Sequence, residues 1–120
     1  MKNIDIIVEV RSSSKRLPNK GMLKVMGRPL LDLMIERLKK IKLVKNIIIA
    51  TTKNKVDDKI IKLAKKNKIK FFRGEENDVL KRVVKCVSKN KTDIIVQITG
   101  DNPLVDIHIT EKMIKFFIKN

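Results

Sequence analysis

The chain has 120 residues, 42% of them apolar, which allows one folded domain with a modest core and excludes a disordered chain. It carries 29 Lys and Arg against 13 Asp and Glu, a net charge of +16 that points to an anionic partner. The cations are spread along every predicted helix, and four Phe with no Trp or Tyr offer little for base stacking, so a nucleic-acid partner is not expected. No apolar run approaches the roughly 20 residues of a membrane span. The N-terminus enters a strand pattern at once and shows no small-residue cleavage site, so a cytoplasmic protein is expected. Cys86 is alone, which excludes a disulfide framework, and its place in an apolar helical face predicts core packing.

Ile4 to Val10 is mostly apolar with little alternation, the pattern of a strand buried on both faces and hence of a central parallel strand. Met22 to Val25 reads as a short extended piece, with a turn marked by Gly27 and Pro29. Leu30 to Ile41 has apolar residues at helical spacing, and Pro29 suits its first turn. Asn46 to Thr52 is a second strand. Val56 to Lys66 is a second helix with Val56, Ile60, Ile61, Leu63 and Ala64 inside, capped by Asn54 and favoured by Asp57 and Asp58. Ile69 to Phe72 is a third strand. Val79 to Ser88 is a third helix with the stripe Val79, Leu80, Val83, Val84 and Val87. Ile94 to Ile98 is a fourth strand, and Asp106 to Lys119 a last helix whose apolar face takes in Ile107, Ile109, Met113, Ile114, Phe117 and Ile118. Alternating strands and helices joined by short loops predict a mostly parallel sheet with helices on both faces, as one domain over residues 1–120.

The loop after the first strand is Arg11-Ser12-Ser13-Ser14-Lys15-Arg16-Leu17-Pro18-Asn19-Lys20. Small hydroxyl residues such as Ser14 let the backbone turn and present N–H groups, and Arg11, Lys15, Arg16 and Lys20 can surround a triphosphate. In a chain this rich in Lys the same residues also suit a solvated loop. Position favours the anion site, because ligands of open α/β sheets sit at the carboxyl ends of the strands.

Together with Gly27-Arg28-Pro29-Leu30-Leu31, this loop resembles the nucleotide-binding signature R-x-G-S-x-R-L-P-G-K of the sugar cytidylyltransferases. That family includes the acylneuraminate and 3-deoxy-manno-octulosonate enzymes and the SpsF-like spore-coat polysaccharide group. Ser13 and Asn19 stand where the signature has Gly. Phe72-Arg73-Gly74-Glu75-Glu76-Asn77-Asp78-Val79-Leu80-Lys81-Arg82 resembles F-R-G-S-x-x-D-V-L-x-R, and Ile98-Thr99-Gly100-Asp101-Asn102-Pro103-Leu104-Val105-Asp106 resembles I-T-G-D-x-P-L-I-D. The three stretches agree in order and spacing, and each follows a predicted strand.

The resemblance implies a three-layer α/β/α sandwich of the nucleotide-diphospho-sugar transferase type, Rossmann-like, with strand order 3-2-1-4. It implies transfer of CMP from CTP to a sugar acid, a nonulosonate or similar, with release of pyrophosphate, for cell-surface polysaccharide synthesis. Arg11, Arg16 and Lys20 would serve catalysis, and Val8, Glu9, Val10, Arg11, Ser14, Lys20, Thr52 and Arg73 would bind the nucleotide. Asp101 would hold Mg²⁺, which needs one or two carboxylates plus substrate oxygens. Asp78 reads better as a charge at a helix N-terminus, Asp106 as a helix cap, and His108, the only histidine, as a surface or satisfied structural residue. Members of this family are longer, so the resemblance also implies a domain truncated at its C-terminal end, completed by a homodimer partner or a second chain. A non-catalytic assembly subunit and a basic nucleic-acid-binding module are the alternatives. Nucleotidyltransferases for sugar phosphates carry a G-x-G-T-R loop that this chain lacks.

Overall fold

The structure, a computed structural model, describes residues 2–11, 24–25, 27–99 and 106–119. Its frame is a four-stranded parallel sheet. Strand β1 (Ile4–Glu9) lies between β4 (Asn46–Thr52) and β6 (Ile94–Thr99), and β5 (Lys70–Gly74) pairs the far side of β4. Counting only these strands, the order is the expected 3-2-1-4. The central position of β1 explains its composition. Ile4, Ile6, Val8 and Val10 enter the larger core, while Ile7 enters a smaller core on the opposite face.

The larger core lies under α1 (Leu30–Leu38), α2 (Asp58–Lys66) and α4 (Ile107–Lys119), and the smaller one under α3 (Val79–Asn90). The result is the expected α/β/α layering. Buried Asp5, near the start of β1, accepts from Asn46 Nδ2 at 3.0 Å and from Thr92 Oγ1, so its burial leaves neither carboxylate oxygen without a donor.

Several boundaries and faces differ from the sequence reading. The extended piece before α1 is one arm of a hairpin: β2 (Lys24–Val25) pairs antiparallel with β3 (Arg28–Pro29). Gly27 turns it at φ +81°, a conformation that costs glycine least. Pro29 therefore closes β3 and precedes the first helical turn. Helix α1 ends at Leu38, and the chain continues in tighter turns, Lys40 N to Arg37 O and Ile41 N to Leu38 O, that still bury Ile41.

The second helix begins as a 3₁₀ turn, Lys55–Asp57, because Asn54 caps it by accepting from Val56 N at 3.0 Å; Val56 itself is exposed. Asp78 caps α3 through Lys81 N, and Asp106 accepts from Ile109 N at the start of α4. Helix α3 runs two residues beyond the expected end. Its buried positions are Arg82, Val83 and Cys86, with Val79, Leu80 and Val84 exposed. Burial pushes the Cys86 thiol up to about 11, which makes it an inert packing group. Helix α4 buries Ile114 and leaves Ile109, Met113, Phe117 and Ile118 exposed. His108 is exposed, as expected. Among the described residues no helix is long and apolar enough to cross a membrane.

Candidate functional site

Parallel pairing brings the carboxyl ends of all four strands to one edge of the sheet. Glu9 is in register with Ala50 and with Thr99, and Thr52 with Gly74. Val8, Glu9, Val10, Arg11, Thr52 and Arg73 are thereby gathered at this edge. Ser14, Arg16, Lys20 and Asp101 lie outside the described residues. The two stretches that contain them, 12–23 and 100–105, follow directly on the neighbouring ends of β1 and β6.

The described part of the edge is held by arginines bonded to the protein. Arg11, half-buried, donates from Nη1 to the carbonyl of Glu76 at 3.0 Å. Arg73 donates from Nε to Thr52 O at 2.7 Å, from Nη1 to the Asp58 carboxylate at 2.7 Å, and from Nη2 to Asn54 O at 2.9 Å. It thus clamps β5 to the loop after β4. The Thr52 hydroxyl is buried, donates to Asp57 and accepts from Asn54 N at 3.2 Å, which makes it a turn-forming group. The side chains of Val8 and Val10 are in the core. What they present to the edge is backbone, and Val10 N already donates to Ala50 O at 3.2 Å.

Glu9 and Arg82 form a buried ion pair beneath the edge. Arg82 is 2% exposed; its Nη2 lies 4.0 Å from Glu9 Oε1, and its Nη1 donates to Glu75 O at 2.7 Å. Gln97 Nε2 donates to the other Glu9 oxygen at 2.6 Å. Burial lowers the Arg82 pKa, the Glu9 charge opposes that, Arg11 adds to the lowering and Asp57 opposes it. A guanidinium stays charged through such shifts. Glu9 Oε1 and Arg82 Nε have no hydrogen-bond partner, so the pair is held by charge and packing more than by geometry.

Sequence reasoning gave Arg82 no role. A signal was present: Glu9 is an acid in a strand otherwise read as buried, and a buried carboxylate needs a cation. Arg82 and Glu75 join the β5–α3 connection to β1, and Arg11 joins the same connection one residue further on. Gly74 lets Arg82 lie close, since a Cβ there would meet Arg82 Cγ and Phe72 Cε1 at 3.0 Å.

Among the described residues no three His, Cys, Asp or Glu side chains are grouped to hold a metal ion. Asp101, expected from the resemblance to hold Mg²⁺, lies outside the described residues. A cavity of about 700 Å³ runs along β6 between it and α4, from Asp93 to Thr99 at the carboxyl end.

A fold with this strand order, and motif-bearing loops at the ends of β1, β5 and β6, defines a nucleotidyltransferase-like α/β protein. The family model described as Cytidylyltransferase matches residues 6–120, so the chain belongs to the cytidylyltransferase family. An uncharacterized Methanocaldococcus jannaschii protein, MJ1063, is 43% identical over 114 residues, 95% of this chain and 47% of the relative. The spore coat polysaccharide biosynthesis protein SpsF of Bacillus subtilis is 34% identical over 96% of this chain and 50% of its own length. A 3-deoxy-manno-octulosonate cytidylyltransferase of Francisella tularensis is 32% identical over 98% of this chain and 47% of its own. The solved structure of a cytidylyltransferase from Leptospira borgpetersenii superposes with a TM-score of 0.95 at 38% identity, covering 100% of this chain and 50% of that one. The chain spans about half the length of the curated relatives it matches.

Proposed function

We propose that residues 1–120 form one CTP-binding domain of a Mg²⁺-dependent cytoplasmic enzyme. It transfers CMP to a sugar acid, a nonulosonate or similar, for cell-surface polysaccharide synthesis. The observation that carries this reading is the convergence of four parallel strand ends, with the loops bearing Arg16, Lys20 and Asp101 leaving from register-paired neighbours β1 and β6. A polysaccharide protein and a sugar-acid cytidylyltransferase among the relatives support the substrate class. The anomeric hydroxyl of the sugar attacks the α-phosphorus of CTP, a new P–O bond forms, and the bond to the β-phosphate breaks as pyrophosphate leaves. Such chemistry depends on positioning and charge neutralisation and needs no protein nucleophile. Arg11, Arg16 and Lys20 neutralise the triphosphate and leaving group, while Ser14 and the backbone of Val8, Glu9 and Val10 line the nucleotide. Bound through Asp101, Mg²⁺ would supply a Lewis acid for the phosphate oxygens. Thr52 and Arg73 act one step back from the nucleotide, by fixing the loop after β4.

Calorimetric titration in Mg²⁺ with CTP, ATP, GTP and UTP tests this. CTP is expected to bind at least about 10-fold more tightly than the other three, and Arg16→Ala or Asp101→Ala to weaken it by about the same factor. Equal binding of all four nucleotides, unchanged in the variants, would refute the reading. So would a salt-sensitive RNA gel shift undiminished by Arg11→Ala or Asp101→Ala.

A further inference from the structure

A second cavity, of about 330 Å³, lies between the connection from α1 to β4 and the connection from α2 to β5. It sits at the amino ends of the strands, opposite the ends that carry the motifs. Strand β4 runs seven residues, from Asn46 beside the cavity to Thr52 at the other end. At about 3.3 Å per residue the two ends are about 20 Å apart, so they are separate places on the molecule. The floor is made by core residues such as Ile41 and Ile47, and the rim carries Lys39, Lys45, Lys68 and Lys70, all exposed. No carboxylate lines the cavity, and among the described residues none of these four lysines forms an ion pair. Lys39 donates to Asn67 O at 2.5 Å and Lys45 to Asn3 Oδ1 at 3.4 Å, so these two ammonium groups meet neutral oxygens.

Lysines beside helix C-termini have an ordinary use, because they offset the negative end of the helix dipole. Helix α1 ends at Leu38 and α2 at Lys66, both next to the cavity. Each helix end is equivalent to about half a negative charge. Asp5, which accepts from the lining residue Asn46, adds one more. Four lysines exceed this demand and leave the cavity positive by about two charges. We propose that the cavity is a binding site for a compact anion with two or more phosphate groups, distinct from the nucleotide site. Charge and shape select that class. Four ammonium groups on one rim act as point charges that a diphosphate engages together and a single phosphate cannot. A nucleic-acid strand needs cations along a track with bases stacked beside them, and no aromatic residue lines this cavity. Bound here, the anion bridges the two connections and stabilises the fold by mass action. The site stands whether or not CTP is the nucleotide held at the other end of the strands.

The test titrates the ¹⁵N-labelled chain with inorganic pyrophosphate, at ionic strength held constant with NaCl, and follows amide shifts. It is run in an Arg16→Ala, Lys20→Ala background, which disables the loop proposed to take the triphosphate. Saturable shifts are expected at residues 39–47 and 67–70, with orthophosphate bound at least about 10-fold more weakly. Lys68 supplies the variant. Its φ of 58° is left-handed, where glycine costs least, so Lys68→Gly removes an ammonium group without loss of fold. Lys68→Gly with Lys70→Gln should weaken pyrophosphate at least about 10-fold. Lys112→Gln with Lys115→Gln removes as much charge from exposed positions of α4 and should leave binding unchanged. Absent shifts, shifts away from the two connections, equal affinity for orthophosphate, or equal weakening by the two double substitutions overturns the proposal. Should the Lys68→Gly, Lys70→Gln variant unfold, the shift map and the orthophosphate comparison decide it alone. A chain that binds pyrophosphate here and ignores CTP refutes the nucleotide reading and not this one.

Discussion

Arg82 shows how one side chain can decide the local order of a whole edge. Its charge is nearly sealed from water, its Nη1 holds the Glu75 carbonyl, and Glu9 stands 4.0 Å from its Nη2. Removing one member of such a pair leaves the other charged and buried, which costs more than the intact pair contributes. Arg82→Leu is therefore expected to lower stability by about 3 kcal/mol in urea unfolding, and the double variant Glu9→Leu with Arg82→Leu to return to within about 1 kcal/mol of the parent. If single and double variants lose the same amount, the pair is not coupled. Gly74 tests the packing around the same side chain. A methyl group there must displace Arg82 Cγ and Phe72 Cε1 by a few tenths of an ångström, so Gly74→Ala should cost about 1 kcal/mol by the same measurement.

Asp32 joins three elements. Its Oδ2 accepts from Arg28 Nε of β3 at 2.9 Å, its Oδ1 from Asn67 Nδ2 at the end of α2 at 2.8 Å, and Lys66 Nζ lies 3.8 Å away. Burial pushes its pKa up, but the hydrogen bonds from Asn67 and Arg28, with the charges of Arg28 and Lys66, outweigh burial and hold it below the ordinary 3.8. A folded-state value below the unfolded one means stabilisation that is present above pH 3.8 and lost as pH falls through the depressed value. Asp32→Asn should thus be less stable than the parent at pH 7, by about 2 kcal/mol, with the gap closing toward pH 2 in parallel unfolding curves. The hairpin that supplies Arg28 was not legible in the sequence, because two-residue strands leave no periodicity. The long strands were legible: β1 and β4 are buried on both faces, and each carries a run of consecutive apolar residues, Ile6-Ile7-Val8 and Ile47-Ile48-Ile49-Ala50. The faces of α3 and α4 were misjudged for the opposite reason. An apolar residue in a helix signals burial only if something lies against it, and the sequence does not say what covers Leu80, Val84, Met113 or Phe117. The candidate site was legible as three motifs at strand ends. The links through Arg82, Asn54 and Gln97 were not, because they join residues distant along the chain.

The whole molecule carries a charge imbalance that its ion pairs do not cancel. With 29 cations and 13 carboxylates, cations outnumber their possible carboxylate partners by 16. The structure is small, with a Cα radius of gyration of 13.9 Å, so these charges lie within a few Debye lengths of one another at low ionic strength. Two opposing salt effects compete. Screening weakens surface pairs such as Lys81–Glu75 and Lys85–Glu75, which destabilises the fold. Screening also relieves the repulsion among the remaining cations, which stabilises it. Exposed pairs contribute about 0–1 kcal/mol each, and the surplus of 16 cations has no carboxylate to pair with, so relief of repulsion wins. Raising NaCl from 10 mM to 300 mM is expected to stabilise the chain by on the order of 1 kcal/mol in thermal unfolding, where a protein governed by surface ion pairs would lose stability. The same screening lowers the barrier to bringing two copies of the basic α4 face together. Sedimentation velocity over the same salt series should show mass rising with salt in the parent and staying at one copy in the Met113→Asp, Phe117→Asp variant. A mass independent of salt would mean that charge is not what keeps this exposed apolar face from meeting its like.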